Sequence, residues 1–197
     1  MDQSLRSRKK LATRESLIAA ADRLFAEQGY GETSMAQIAA EANVSRATLF
    51  NYFAGKEHLL KEIALQYLRD TRREVAAQLE GQPAGQQLVL LMSRLVDTTF
   101  RHLTMARSLL MAALAQREIS HDVLDEMLAM VLPIVQAGQR CGRFRSDISS
   151  EHIAQLVVAV YVANLFPWPH GYRDGVDQSI ADIVLRGLEP ADSEEQA

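Results

Sequence analysis

Residues Ser45 to Phe53 read SRATLFNYF, and Lys56 follows three positions later. The run gathers hydroxyls, a guanidinium, an amide and three aromatic rings in little more than two helical turns. On a helix at about 100° per residue, Leu49 and Phe53 stand four apart on the side that must meet a core. Ala47, Thr48 and Asn51 then point away, Phe50 and Tyr52 flank the core side, and Arg46 sits in the first turn, where it reaches past the helix end. Such a surface is built to hydrogen-bond. An arginine pairs with a guanine edge, an alanine methyl touches thymine, and asparagine meets a base edge or a phosphate. The hydroxyls of Thr48 and Tyr52 and the Lys56 ammonium suit the phosphate backbone. This is the equipment of a helix that enters a major groove amino-terminus first.

That helix needs a frame. Ser34 precedes MAQIAAEA, and Gln37 stands three residues on, the spacing of a capping box. The short helix so begun ends near Ala42, and Asn43 is a residue that tolerates a left-handed turn. Ser45 then caps the next helix, and Ile38, Val44 and Leu49 are spaced to meet between the two, giving a helix-turn-helix. Before it, a helix is predicted from about Thr13 to Gln28, with Leu17, Ile18, Ala21, Leu24 and Phe25 on one face and Gly29 as its stop. After it, a helix from Gly55 or Lys56 to about Leu79 carries Leu59, Ile63, Tyr67 and Leu68 along one side.

Beyond the GQPAG breaker at 81–85, helices are predicted near 86–102, 104–117, 120–141, 149–166 and 176–188, with Pro133 expected to kink the third. No stretch alternates with the period of two that marks a half-buried strand. The fold class is therefore all-α: an amino-terminal three-helix helix-turn-helix domain at 13–60, a larger helical domain at 61–189, a basic flexible arm at 1–12 and an acidic disordered tail at 190–197. The net charge of −4 conceals an asymmetry. Residues 1–61 carry nine Lys or Arg against seven Asp or Glu, and Arg6, Arg8, Lys9, Lys10 and Arg14 fall in the first fourteen positions. A basic end on an acidic body suits an anionic partner docking at that end. The apolar stretch Ile153–Phe166 is shorter than the roughly 18–20 residues of a membrane span. The single Cys141 excludes an internal disulfide and fits a reducing compartment, so a cytoplasmic protein is expected.

The stretch GYGETSMAQIAAEANVSRATLFNYFAGKEHLL resembles the DNA-binding signature of the TetR family of bacterial transcriptional regulators. The match covers about Thr13 to Leu60, through Phe25, Gly29, Ser34, Ile38-Ala39, Val44-Ser45, Thr48-Leu49, Phe53, Lys56 and Leu60. The resemblance implies a homodimer that binds a palindromic double-stranded operator and releases it when a small-molecule effector enters the carboxy-terminal domain, most simply a repressor. The candidate DNA-binding residues are Ser34, Ser45, Arg46, Ala47, Thr48, Phe50, Asn51, Tyr52 and Lys56. Asn43 stands where the family most often has glycine, Ala47 where glycine is frequent, and Phe50 where tyrosine usually supplies a phosphate contact.

For the second domain the sequence is less specific. Met92, Met105, Met111 and Met127 are interleaved with leucines, and methionine suits an adaptable apolar pocket as well as an ordinary core. His102, Arg107, Gln116, Tyr161 and Asn164 are the polar candidates for orienting an effector. Apolar positions around Ile153, Leu156, Val157, Val160, Tyr161 and Leu165, with Val176, Ile180, Ile183, Val184 and Leu188, predict a homodimer through the last two helices. His121 and Asp125 stand four apart as a metal pair would, but Ser120 as a helix cap with carboxylates in the first turn explains that segment better. No catalytic constellation, metal set or cofactor motif is present. The arginines at 140, 143 and 145 need no function beyond the end of a helix. The competing reading is a helical small-molecule or partner-binding protein without sequence-specific DNA binding. It would show no salt-dependent DNA affinity.

Overall fold

The structure, a computed structural model, describes residues 2–115, 117–163, 165, 166, 185–188 and 190, with backbone only at 2–5 and 117–120. Its helices are α1 (Asp2–Gln28), α2 (Met35–Glu41), α3 (Arg46–Phe50), α4 (Lys56–Leu79), α5 (Ala84–Arg101), α6 (Leu103–Ala115), α7 (Arg117–Arg140) and α8 (Ser150–Ala163). Among the described residues there is no strand, and the fold is all-α.

The chain divides into two compact units, Met1–Gln66 with His102–Ser120, and Tyr67–Arg101 with His121–Ala197. In the first, Leu17, Ile18, Ala21 and Phe25 of α1 are buried, as the helical spacing requires. So are Ile38, Leu49, Phe53, Leu59, Leu60 and Ile63, and Met105 of α6. The sequence placed α6 in the second domain. Here α6 falls in the same compact unit as residues 1–66.

The first helix starts earlier than the predicted Thr13. α1 begins at Asp2, and the Thr13 hydroxyl donates to the Lys9 carbonyl at 2.9 Å in the manner of a residue already inside a helix. The segment holds no Gly or Pro, and its Leu, Arg, Lys and Ala are good helix formers. Arg6, Arg8, Lys9 and Lys10 are exposed, so no apolar stripe announced the extra turns.

The second unit has one continuous apolar core, with Leu88, Leu91 and Leu95 of α5, Met127, Val131, Ile134 and Val135 of α7, and Ile153, Val157, Val158 and Tyr161 of α8. α7 starts at Arg117, so Ser120 lies within the helix rather than capping it, and the helix continues through Pro133. The expected caps and breakers Gly81 (φ +73°) and Gly142 (φ +71°) take left-handed turns. Of the last predicted helix, residues 185–188 are helical and Leu188 is buried, while Val176, Ile180, Ile183, Val184 and the tail at 191–197 lie outside the described residues.

Gly138 shows why a helix-weakening residue sits inside α7. A Cβ there would overlap the ring of Phe144, which folds back under the helix and is buried. The backbone N–H groups of Arg143 and Phe144 both donate to the Gly138 carbonyl. Gln139 holds the same turn, donating to the carbonyls of Arg145 and Ile148 at 2.8 Å each and accepting from the Ser150 hydroxyl at 2.6 Å. Gly138→Ala should therefore destabilise the protein by about 1–3 kcal/mol in urea unfolding, despite the better helix propensity of alanine. A gain in stability would contradict the close approach.

Candidate nucleic-acid interface

The frame around α3 forms by local rules. The Ser34 hydroxyl accepts from the Gln37 N–H at 3.2 Å while the Gln37 side-chain oxygen accepts from the Ser34 N–H at 2.8 Å, completing the capping box of α2. Asn43 takes φ +54°, the one non-glycine in the left-handed region among the described residues. This conformation lets the Asn43 and Val44 N–H groups donate back to Ala40 and Ala39 at 3.0 and 2.9 Å, closing α2. Ser45 then caps α3, accepting from the Thr48 N–H at 3.0 Å, with its hydroxyl 2.8 Å from that of Thr48.

α3 is shorter than predicted and stops at Phe50, with Asn51 as its cap and the Tyr52 and Phe53 N–H groups returning to the Leu49 carbonyl. Its faces are nonetheless those read from the sequence. Leu49 and Phe53 are buried, whereas Ser45, Arg46, Ala47 and Asn51 are exposed. Thr48 and Tyr52 are half-buried, and Phe50 leaves 51% of its surface open. Ser34 is also exposed, at the amino-terminal end of α2. The outward set thus presents a cation, a methyl, an amide and an aromatic ring along one short exposed segment.

Lys56 makes contacts within the protein that its place in the sequence did not announce. Its ammonium donates to the Tyr30 carbonyl at 2.8 Å and the Gly31 carbonyl at 3.2 Å, and lies 4.7 Å from the centre of the Tyr30 ring. Tyr30 in turn packs edge-on against Phe25, and burial, assisted by the Glu57 charge, raises its phenol above the ordinary range. Thr33 secures the other end of this loop, donating to the Gly29 carbonyl at 2.8 Å and accepting from Gln28 at 3.1 Å. Lys56 therefore fastens the loop after α1 to the start of α4. No sequence signal marked that role, since the partner carbonyls lie some twenty-five residues away.

The effector candidates do not come together in one unit. Met92, Met127 and Tyr161 belong to the core of the second unit, and His102, Met105, Arg107 and Met111 belong to the first. Met105 is buried and Met111 is 64% exposed. Gln116 and Asn164 lie outside the described residues. Tyr161 is buried with its hydroxyl on that of Thr99, and burial raises its phenol above the usual range. Thr71 and Thr98 place their hydroxyls 3.3 Å apart in the same unit. His121 and Asp125 are exposed, and among the described residues no group of three His, Cys, Asp or Glu is placed to hold a metal. No helix of the described residues is long and apolar enough to cross a membrane.

A capped reading helix set against a capped partner, with its polar side free and a helical body following in the chain, defines a helix-turn-helix DNA-binding regulator. The family model for bacterial regulatory proteins of the TetR family matches residues 17–63, and that for the SbtR-like transcriptional regulator carboxy-terminal domain matches 83–190. The chain belongs to the TetR family of transcriptional regulators. It is 28% identical to the transcriptional repressor KstR2 of Rhodococcus jostii, over 91% of this chain and 92% of that one. It is 25% identical to the repressor BepR of Brucella suis, over 89% and 86%. The solved structure of the TetR-family repressor FadR of Thermus thermophilus, in complex with lauroyl-CoA, superposes with a TM-score of 0.75 at 26% identity, covering 88% of this chain and 91% of that one.

From the Lys56 geometry, Lys56→Ala should lower the stability of the protein by about 1–2 kcal/mol, because two charge-assisted hydrogen bonds are lost at a partly exposed site. Thermal melts in parallel with salt titrations of DNA affinity check this. An unchanged melt with a salt slope reduced by about one unit would assign Lys56 to a phosphate instead.

Proposed function

We propose that the chain is a homodimeric repressor that holds a palindromic operator through α3 and its flanking residues and releases it when a small molecule enters the second unit. The observation that carries this reading is the exposed set Ser45, Arg46, Ala47, Phe50 and Asn51 on a helix whose opposite side is fully buried. Arg46 reads a base edge, Ala47 and the open ring of Phe50 face thymine methyls or sugar, and Ser34, Ser45, Thr48, Asn51 and Tyr52 hold backbone or base edges. The protein acts in the cytoplasm, where its operator is.

A palindrome demands a two-fold protein. α8 supports the pairing: Leu156 is 59% exposed, Ala159 is exposed, and Val160 and Ala163 continue the same stripe at helical spacing. A second copy covering this stripe removes apolar surface from water. Leu156→Arg should then sediment as a monomer and fail to protect the operator. A Leu156→Arg dimer with full protection would place the interface elsewhere.

For the effector, the core of the second unit favours a molecule with an uncharged, mostly apolar buried part. Thr71 is buried there, no charged side chain is buried among the described residues, and Met92 and Met127 are adaptable wall. The Tyr161 and Thr99 hydroxyls supply the hydrogen bonds. The lauroyl chain in the FadR complex is compatible with such a core. Because α4 passes continuously from the first unit into the second, a change of its pose on effector binding alters the spacing of the two reading helices and weakens both half-site contacts together.

Footprinting of the protein on DNA flanking its own gene, with and without a panel of apolar effectors, tests the reading. A protected palindrome that is lost with one effector supports it. Salt-insensitive, sequence-independent binding, or none, supports the competing partner-binding protein. On the footprinted operator, Arg46→Ala should cost about 1–3 kcal/mol against the native base and little against a substituted one. Equal losses on every variant would remove Arg46 from base reading.

A further inference from the structure

α3 ends at Phe50, yet one more residue of the reading segment is fixed from outside. Phe53 is buried, and the guanidinium of Arg14, on α1, lies 5.5 Å from the centre of its ring. The same guanidinium pairs with Glu62, on α4, at 2.6 Å. Glu62 keeps only 18% of its side chain exposed and Arg14 keeps 37%. One side chain thus touches the end of the reading segment and the second turn of the helix that leads toward the effector unit, and it does so from a third helix.

We propose that Arg14 is a positioning residue for DNA reading: it sets where α3 stands relative to α4, and it carries a displacement of α4 to the reading side chains. This rests on the DNA-reading assignment above. A partly exposed ion pair contributes little to stability, about 0–1 kcal/mol, and the cation over the ring adds a similar amount. That is too small to explain the contact as a fold determinant. Its value is geometric. Arginine's planar fork can face a carboxylate with its edge while its flat face lies against an aromatic ring, which a flexible ammonium does less well. α3 is a single turn and a half with no length of its own to resist tilting. A small displacement at Phe53 is therefore transmitted to Arg46 and Ala47 rather than absorbed.

The test uses the full-length protein with Arg14→Gln, Glu62→Gln, the double variant and Arg14→Lys. Affinity for the footprinted operator and for a scrambled duplex is measured across a salt series, at a temperature where circular dichroism shows each variant fully folded. Each glutamine substitution should weaken specific binding about five- to tenfold, with the double variant no worse than the singles, as expected of one coupled contact. Scrambled-duplex affinity and the salt slope should match the wild type, because the Arg14 guanidinium is engaged by Glu62 and the Phe53 ring. Arg14→Lys should recover part of the loss. Glu62→Gln tests the same contact from a carboxylate that cannot bind phosphate, and it stands in if an Arg14 variant fails to fold. Unchanged specific affinity in folded Glu62→Gln would overturn the proposal. So would a salt slope reduced by about one unit in Arg14→Gln, which would make Arg14 a direct phosphate contact. A wild type that does not distinguish the two duplexes would overturn the DNA-reading assignment itself, a different failure from loss of the positioning role.

Discussion

Everything the amino-terminal unit does depends on holding a five-residue helix that cannot hold itself. Isolated helices of fewer than about twelve residues are marginal in water, because nucleation costs more than so few hydrogen bonds return. α3 exists because its ends are closed and its inner side is buried. Ser45 accepts at the first turn, Asn43 sets the entry angle in a left-handed conformation, and Leu49 and Phe53 are buried. The orientation of Arg46 is in this sense a property of α1, α2 and α4, which supply the surroundings. The family's DNA-reading chemistry sits on the least autonomous element of the domain, and that makes it responsive to its neighbours.

The same logic explains the two fastenings on the first turns of α4. Lys56 ties α4 to the loop after α1, and Glu62 ties it through Arg14 to α1 and Phe53. The Arg14–Glu62 pair is worth little as an isolated interaction. Both fastenings convert a continuous helix that passes into the second unit into a part whose position the reading side chains follow. In the second unit the design is opposite: a long apolar core with a few hydroxyls, Thr71, Thr98, Thr99 and the Tyr161 phenol, interrupting it. Such hydroxyls must be partnered when buried, so a ligand that offers a better partner has a means of rearranging the helices that carry them.

The features legible in the sequence were those set by neighbours in the chain. The Ser34–Gln37 box, the Asn43 turn, the Ser45 cap and the Leu49–Phe53 face all act over three to five residues and were read correctly. The helical course of residues 2–12 was missed because a solvated cationic helix carries no apolar stripe. α7 was started too late because Ser120 resembles a cap and the helix had already begun at Arg117. The carbonyl partners of Lys56 and the inclusion of α6 in the first unit depend on residues brought together only by folding. The effector candidates scattered between the units for the same reason: methionine at helical spacing marks a wall without saying of which room.

The central claim is that two reading helices act at a spacing fixed by the protein. Affinity for the footprinted operator, measured with base pairs inserted between its half-sites, tests this most directly. Insertion of about five base pairs turns one half-site to the opposite side of the duplex and should reduce binding to the non-specific level. Undiminished affinity at that spacing would contradict a rigid two-fold reader and leave α3 without the role assigned to it.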